Sequence, residues 1–165
     1  SPDWRDVKVI VYWGDAGAGK SRRVKKEING LPYFDLEMER DIWWDGYNGE
    51  DIIVIDDIDT DIIDSKHFLK MTDGYRKRCR TKGGFVWGHY TTIYITSNSH
   101  PNKWYPHLKG EDKAAFDRRI STIEFFQKCH DVTKWCVGNT EDHTPKNVFV
   151  DPYVSMFDDL YCIWQ

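Results

Sequence analysis

The chain has 165 residues, 40% of them hydrophobic and 15% aromatic, and carries a formal net charge of −4. That length and composition predict about one domain with a real core and argue against disorder over most of the chain. Its longest apolar run, Val9 to Trp13, is far too short to span a bilayer. No charged-then-apolar signal peptide opens the chain, which begins Ser-Pro-Asp-Trp without a methionine and so reads as a piece of a longer protein. The cysteines Cys79, Cys129, Cys136 and Cys162 form no Cys-x-x-Cys pair, which fits a soluble protein of a reduced intracellular compartment. The net charge hides a segregation. Acids crowd from Asp35 to Asp64, where Arg40 is the only base, whereas bases crowd from Lys20 to Lys26 and from Lys66 to Lys82. Such patches, more than the net figure, steer ligands.

In chain order, Val7 to Trp13 is a nearly unbroken apolar run and predicts a strand buried on both faces. A glycine-rich loop follows, then a helix over Lys20–Ile28 that Asn29-Gly30 stops. Leu31 to Glu37 reads as a second strand. Trp43 to Glu50 carries Asp-Gly and Asn-Gly turn signals, and Asp51 to Ile55 is a third strand ending in Asp56-Asp57. Asp64 to Tyr75 predicts a helix with Asp64 or Ser65 as N-cap and Phe68, Met71 and Tyr75 on one face. Arg78 to Tyr90 reads as a β-hairpin turning at Gly83-Gly84. Thr91 to Asn98 is a fourth strand, Gly110 to Arg119 a short helix with acids in its first turn, and Ile120 to Phe126 a fifth strand. The order predicts an α/β fold, a mainly parallel five-stranded sheet flanked by helices with a protruding hairpin, and ligands at the carboxyl ends of the strands. From Gln127 to Gln165 the pattern weakens to a tail. Val137 to Asn147 looks loop-like, and only Val148 to Val150 and Phe157 to Trp164 suggest further elements.

The chemistry concentrates at three strand ends. Gly14, Gly19, Lys20 and Ser21 match G-x-x-x-x-G-K-[ST] between a strand and a helix. Backbone N–H groups of Gly14, Asp15, Ala16, Gly17, Ala18, Gly19, Lys20, Ser21 and Arg22 would wrap phosphate oxygens, with the helix N-terminus behind them. Lys20 would reach the β- and γ-phosphates of ATP, and the Ser21 hydroxyl would bind Mg²⁺. Asp56 would serve the same metal, and Asp57 would orient the attacking water. Asp59, Asp61 and Asp64 read as a solvated acidic loop. Asn98 closes its strand with an amide placed to sense the γ-phosphate. Lys82, Gly83 and Gly84 form a cationic, glycine-rich hairpin tip suited to phosphate contacts that read no bases. Phe85, Trp87, His89 and Tyr90 would stack on bases or pack on the sheet, His89 being the best polar candidate. Arg76, Lys77, Arg78 and Arg80 are either DNA-facing or a solvated helix end. Trp43-Trp44 would pack on the sheet or stack on adenine. Cys129, His130, Cys136 and His143 have zinc-ligand types at an unfamiliar spacing.

The order GDAGAGKS, WWDGYNGEDIIVIDD, TKGG, TIYITSN, DRRI resembles the replication-associated proteins of circoviruses and related small circular single-stranded DNA viruses. The likeness spans roughly residues 7 to 126. It implies a superfamily 3 helicase ATPase domain over 1–126, a tail over 127–165, and a preceding rolling-circle endonuclease domain that this chain lacks. It further implies Walker A at Gly14 to Ser21, Walker B at Asp56-Asp57 and a sensor at Asn98. Arg118 or Arg119 would be an arginine finger acting in trans in a hexameric ring, and the hairpin at Lys82 would line a pore that holds single-stranded DNA. The implied setting is the host nucleus. Asp15 departs from the pattern, where relatives often carry proline. Two other readings compete: a P-loop nucleoside or small-molecule phosphotransferase, and a module that binds ATP without useful turnover.

Overall fold

The computed structural model describes residues 4–128 and the backbone of three later strands. In chain order the elements are β1 (Lys8–Gly14), α1 (Lys20–Ile28), β2 (Tyr33–Asp35), β3 (Glu37–Glu39), β4 (Asp41–Trp43), β5 (Ile52–Ile55), α2 (Ser65–Met71), β6 (Lys77–Thr81), β7 (Gly84–Gly88), β8 (Thr92–Ser97), α3 (Gly110–Arg119), β9 (Thr122–Lys128), β10 (Lys134–Asn139), β11 (Val148–Val150) and β12 (Leu160–Trp164). A 3₁₀ turn at Pro101–Lys103 sits between β8 and α3.

The main sheet runs β11-β12-β10-β9-β1-β8-β5-β2. Within it β9, β1, β8, β5 and β2 are mutually parallel, and these are the five strands that the apolar runs predict. Each of the three central runs is apolar at consecutive positions because both of its faces are covered. Val9 and Val11 of β1, Ile53 and Ile55 of β5, and Ile93 and Ile95 of β8 face a large core with Phe68 of α2 and Phe116 of α3. Ile10, Tyr12, Val54 and Tyr94 turn to the other side and meet Val24 and Ile28 of α1. The sheet continues past β9 through antiparallel β10. β10 includes Val137 to Asn139, which the sequence pattern presents as loop. The zinc-type residues Cys129, His130 and His143 lie outside the described residues.

Local signals account for most element ends. Asn29 closes α1 in the left-handed conformation, followed by Gly30 at φ 82°. Asp64 is the α2 cap, its carboxylate accepting the His67 N–H at 2.8 Å. Those contacts hold the Asp64 carboxyl below its usual pKa, the backbone hydrogen bond from His67 contributing most. Asp59 is likewise employed, accepting the N–H groups of Asp61 and Ile62, so the acidic loop is partly a folding device. α2 ends at Met71, and Tyr75 is not on its buried face. It stands exposed, edge-on to Trp4. Besides β10, the β3–β4 hairpin is absent from the sequence reading; it reverses on Arg40 alone at φ 59°.

Candidate functional site

β1, β8 and β5 are neighbours in the sheet and point the same way, so their carboxyl ends deliver Gly14, Asn98 and Asp56 to one edge. α1 starts directly above that edge. Gly14 is obligatory by geometry. Its φ is 141°, and a Cβ there would lie 1.8 Å from the Phe126 carbonyl oxygen of β9. Gly17 and Gly19 also adopt positive φ, which lets the loop curl with its amides inward. The N–H of Asp15 donates to the Phe126 carbonyl and that of Ala18 to the Asp15 carbonyl, so both are spent within the loop. The side chain of Asp15 is exposed, yet near enough to Lys20 to act on its charge. The N–H groups of Gly19, Lys20 and Ser21 open the first helical turn, where the i−4 carbonyl of an α-helix is not available. No acid occupies that turn, leaving its dipole unopposed.

Lys20 is the centre of the site. Its ammonium donates to the carbonyls of Gly14 and Asp15 and, at 2.9 Å, to Oδ1 of Asn98. Only 8% of the residue is exposed, and this desolvation lowers its pKa, with Asp57, Asp15 and Asp56 opposing the drop. Beside it the Ser21 hydroxyl donates to Asp56 Oδ1 at 2.7 Å. Thr96 of β8 donates its hydroxyl to the same Oδ1 at 3.0 Å and accepts the N–H of Asp57 at 2.8 Å. Thr96 was not singled out from the sequence. Its place two residues before Asn98 on one strand was the available signal. Asp57 has φ 52°, a left-handed conformation that few residues other than glycine, asparagine and aspartate tolerate. Its carboxylate is near enough to raise the Lys20 pKa. A cavity of about 340 Å³ opens beside Ser21 and Asp56 and runs between α1 and β2, lined by Val24, Ile28 and Leu36.

The donor set is hard oxygen: one hydroxyl and one carboxylate held together at the edge of that cavity. That is what Mg²⁺ takes in phosphate sites. Among the described residues no group of three or more His, Cys, Asp or Glu forms an all-protein metal cage.

The arginine pair separates cleanly. Arg119 donates to the Leu69 carbonyl at 2.8 Å and lies 3.4 Å from the Thr72 hydroxyl, fastening α3 to the end of α2. Arg118 is exposed and makes no hydrogen bond or ion pair among the described residues. The neighbouring acids pair elsewhere, Asp117 with Lys113 and Glu124 with Arg23. No contact joins either arginine to the Lys20 cluster within one copy of the chain.

The β6–β7 hairpin turns at Lys82-Gly83, one residue earlier than expected, since Thr81 pairs with Gly84. Asp45 fixes the tip by accepting the Lys82 N–H at 3.2 Å. A Cβ at Gly83 would meet nothing within 4 Å, so packing inside the chain does not demand glycine there. His89 is exposed but follows Gly88, which pairs with Lys77 at the base of the hairpin, away from Lys82. Its N–H donates to the Tyr47 hydroxyl at 2.9 Å. Tyr90 is buried and stacks on Trp44, which stacks in turn on Phe34. Trp44 and Tyr90 are therefore core residues.

A family model described as RNA helicase matches residues 10–81, from β1 through β6. The chain is 32% identical to the replication-associated protein of Porcine circovirus 1 over 94% of its own length and 47% of that protein's. It is 38% identical to the Goose circovirus replication-associated protein over 72% of this chain and 38% of that one. With that of Beak and feather disease virus it shares 39% over 61% of this chain and 34% of the relative. The chain belongs with the circovirus-like replication-associated proteins. It spans between a third and a half of the length of these curated relatives. The matched stretch carries the phosphate loop, Asp56-Asp57 and the first hairpin strand of this circovirus-like chain. Among the described residues no helix is long and apolar enough to cross a membrane.

Proposed function

We propose that this domain binds ATP with Mg²⁺, hydrolyses it, and uses the cycle to move on single-stranded DNA and open duplex ahead during rolling-circle replication in the host nucleus. The observation that carries the reading is the joining of Lys20 to Asn98 across two strand ends, with Ser21, Thr96 and Asp56 linked beside them. The orphan N–H groups at the start of α1 hold the phosphates, and the Lys20 ammonium exchanges its loop carbonyls for phosphate oxygens. Ser21 and Asp56 would hold Mg²⁺, which when bound would supply charge neutralisation at the phosphates. Asp57 orients water. Asn98 touches the lysine and would lie beside the terminal phosphate, from which it would report which nucleotide is present.

Arg118, exposed and without a hydrogen bond or ion pair among the described residues, would act on a neighbouring copy, which requires a head-to-tail ring, taken here as a hexamer. Lys82 and Gly83 at the hairpin tip approach the DNA backbone. A phosphotransferase has less support, because the cavity beside Asp56 is lined by a single cation, Lys25, where a phosphorylated acceptor or an arginine-rich lid needs more.

The test is the ATPase rate with and without single-stranded DNA. Stimulation by DNA, and its loss in Lys82→Ala together with a shallower salt dependence of binding, is expected. Phosphorylation of a nucleoside acceptor with no response to DNA would replace this reading by the phosphotransferase.

A further inference from the structure

Cations and aromatic rings alternate along the outward face of the β6–β7 hairpin. The antiparallel register sets Arg78 opposite Trp87 and Arg80 opposite Phe85. Side chains alternate across a strand, so these four share one face while Cys79 and Val86 turn to the core. The Arg76 guanidinium lies 4.0 Å from the Trp87 ring centroid, and that of Arg78 lies 4.7 Å from Phe85 and 5.6 Å from Trp87. Phe85 and Trp87 meet edge-on at 5.4 Å. The stripe continues onto Trp43, which has Arg80 at 4.9 Å and the Lys82 ammonium at 5.8 Å.

Two properties of this stripe have no explanation among the described residues. Phe85 is 48% exposed, although it is large and apolar. Arg76 and Arg78 are exposed and have no carboxylate partner among the described residues. The acids nearby are spent on its far end, Asp41 pairing with Arg80 and Asp45 accepting the Lys82 N–H. We propose that this face is a stacking platform for the unpaired bases of a single nucleic-acid strand, distinct from the Lys82-Gly83 tip. The proposal rests on the motor reading above and adds to it a second mode of contact with the strand.

The chemistry favours that occupant. Every base has a π-face, so rings and guanidinium planes accept bases without selecting sequence. The unpaired arginines neutralise the phosphates between them. Cation–π contacts already hold the rings, so little side-chain freedom is lost on capture. A duplex keeps its bases stacked on one another and does not meet the platform.

The experiment measures binding of labelled oligo-dT, oligo-U and an abasic deoxyribose-phosphate oligomer of equal length. Phe85→Leu/Trp87→Leu should bind both base-bearing strands about tenfold or more weakly, with the abasic strand and the salt slope unchanged. Trp87→Phe alone should recover most of the loss seen with Trp87→Leu. Tyr75→Leu removes an aromatic residue that is 61% exposed but lies off the stripe, and should change nothing. Thermal melts confirm that each variant is folded. Unchanged dT binding by the double variant, with Lys82→Ala weakened, would overturn the platform and leave the motor reading intact. Equal losses on dT and the abasic strand would also overturn it, since the rings would then act through hairpin shape. Capture of a polyglutamate peptide that depends on Arg78 and not on the rings would reassign the face to an acidic protein. Failure of the unaltered chain to bind any strand would remove both readings together.

Discussion

The Lys20 ammonium lies 2.9 Å from Oδ1 of Asn98, a residue 78 positions further along the chain. The two come from adjacent parallel strands, β1 through the loop after it and β8 at its end. Under the proposed function the lysine contributes charge and the amide contributes position, so their variants should differ. Lys20→Ala should abolish both nucleotide binding and hydrolysis. Asn98→Ala should bind nucleotide within a few-fold of the original and hydrolyse it about 10²-fold more slowly, the usual scale for removing one aligned polar group. Nucleotide titration and steady-state hydrolysis on the same preparations separate the two effects.

Asp57 poses a different constraint, because its backbone is left-handed at φ 52° while Thr96 holds its N–H. Asparagine tolerates that conformation, whereas a β-branched residue is penalised by about 1–2 kcal/mol. Asp57→Asn should therefore melt close to the original and lose hydrolysis. Asp57→Val should lose hydrolysis and about 1–2 kcal/mol of stability as well. Equal melting of the two variants would show that the conformation carries no strain.

Gly14 joins the site to the fold. The Phe126 carbonyl that would clash with a Cβ on Gly14 also accepts the Asp15 N–H. Gly14→Ala should push β9 away from β1 at its end and loosen the phosphate loop together. A loss of about 1–3 kcal/mol, the scale of overpacking, is expected in chemical denaturation. Nucleotide affinity should fall with it, because the same carbonyl anchors both.

What the sequence made legible follows from which interactions are local. The buried strands announce themselves because both faces of Val9–Tyr12, Ile52–Ile55 and Ile93–Ile95 are covered, leaving no polar interruption. The glycine-rich loop between β1 and α1 is legible because its glycines serve backbone geometry within a few residues. The β3–β4 hairpin was hidden because Glu37, Glu39 and Asp41 give it the composition of a solvated loop, and it turns on Arg40 without the usual glycine or asparagine. Thr96 was hidden because its role arises only when Asp56 and Asp57 arrive from β5. His89 is the best polar candidate by residue type, and strand register sets it just past the base of the hairpin, a position composition does not convey. Composition cannot convey register, since a one-residue shift changes every neighbour.

Arg118 and Arg119 are adjacent in sequence and opposite in circumstance, and the difference is testable. Arg119 is tied to the Leu69 carbonyl and the Thr72 hydroxyl in a partly buried setting. Losing a hydrogen bond to a charged group there should cost about 1.5–3 kcal/mol of stability. Arg119→Ala should accordingly show a lower melting temperature. Arg118→Ala should melt as the original does, since nothing among the described residues holds its side chain. It should nevertheless lose about 10³-fold or more in DNA-stimulated hydrolysis, if its guanidinium serves the phosphates of the next copy. Mixing Arg118→Ala with Lys20→Ala subunits makes the test specific. Some interfaces in the mixture pair an intact phosphate loop with an intact Arg118, so part of the activity should return although each variant alone is inactive. Absence of any return, with mixed assemblies verified by mass, would place the role of Arg118 within its own subunit and remove the argument for a finger supplied in trans.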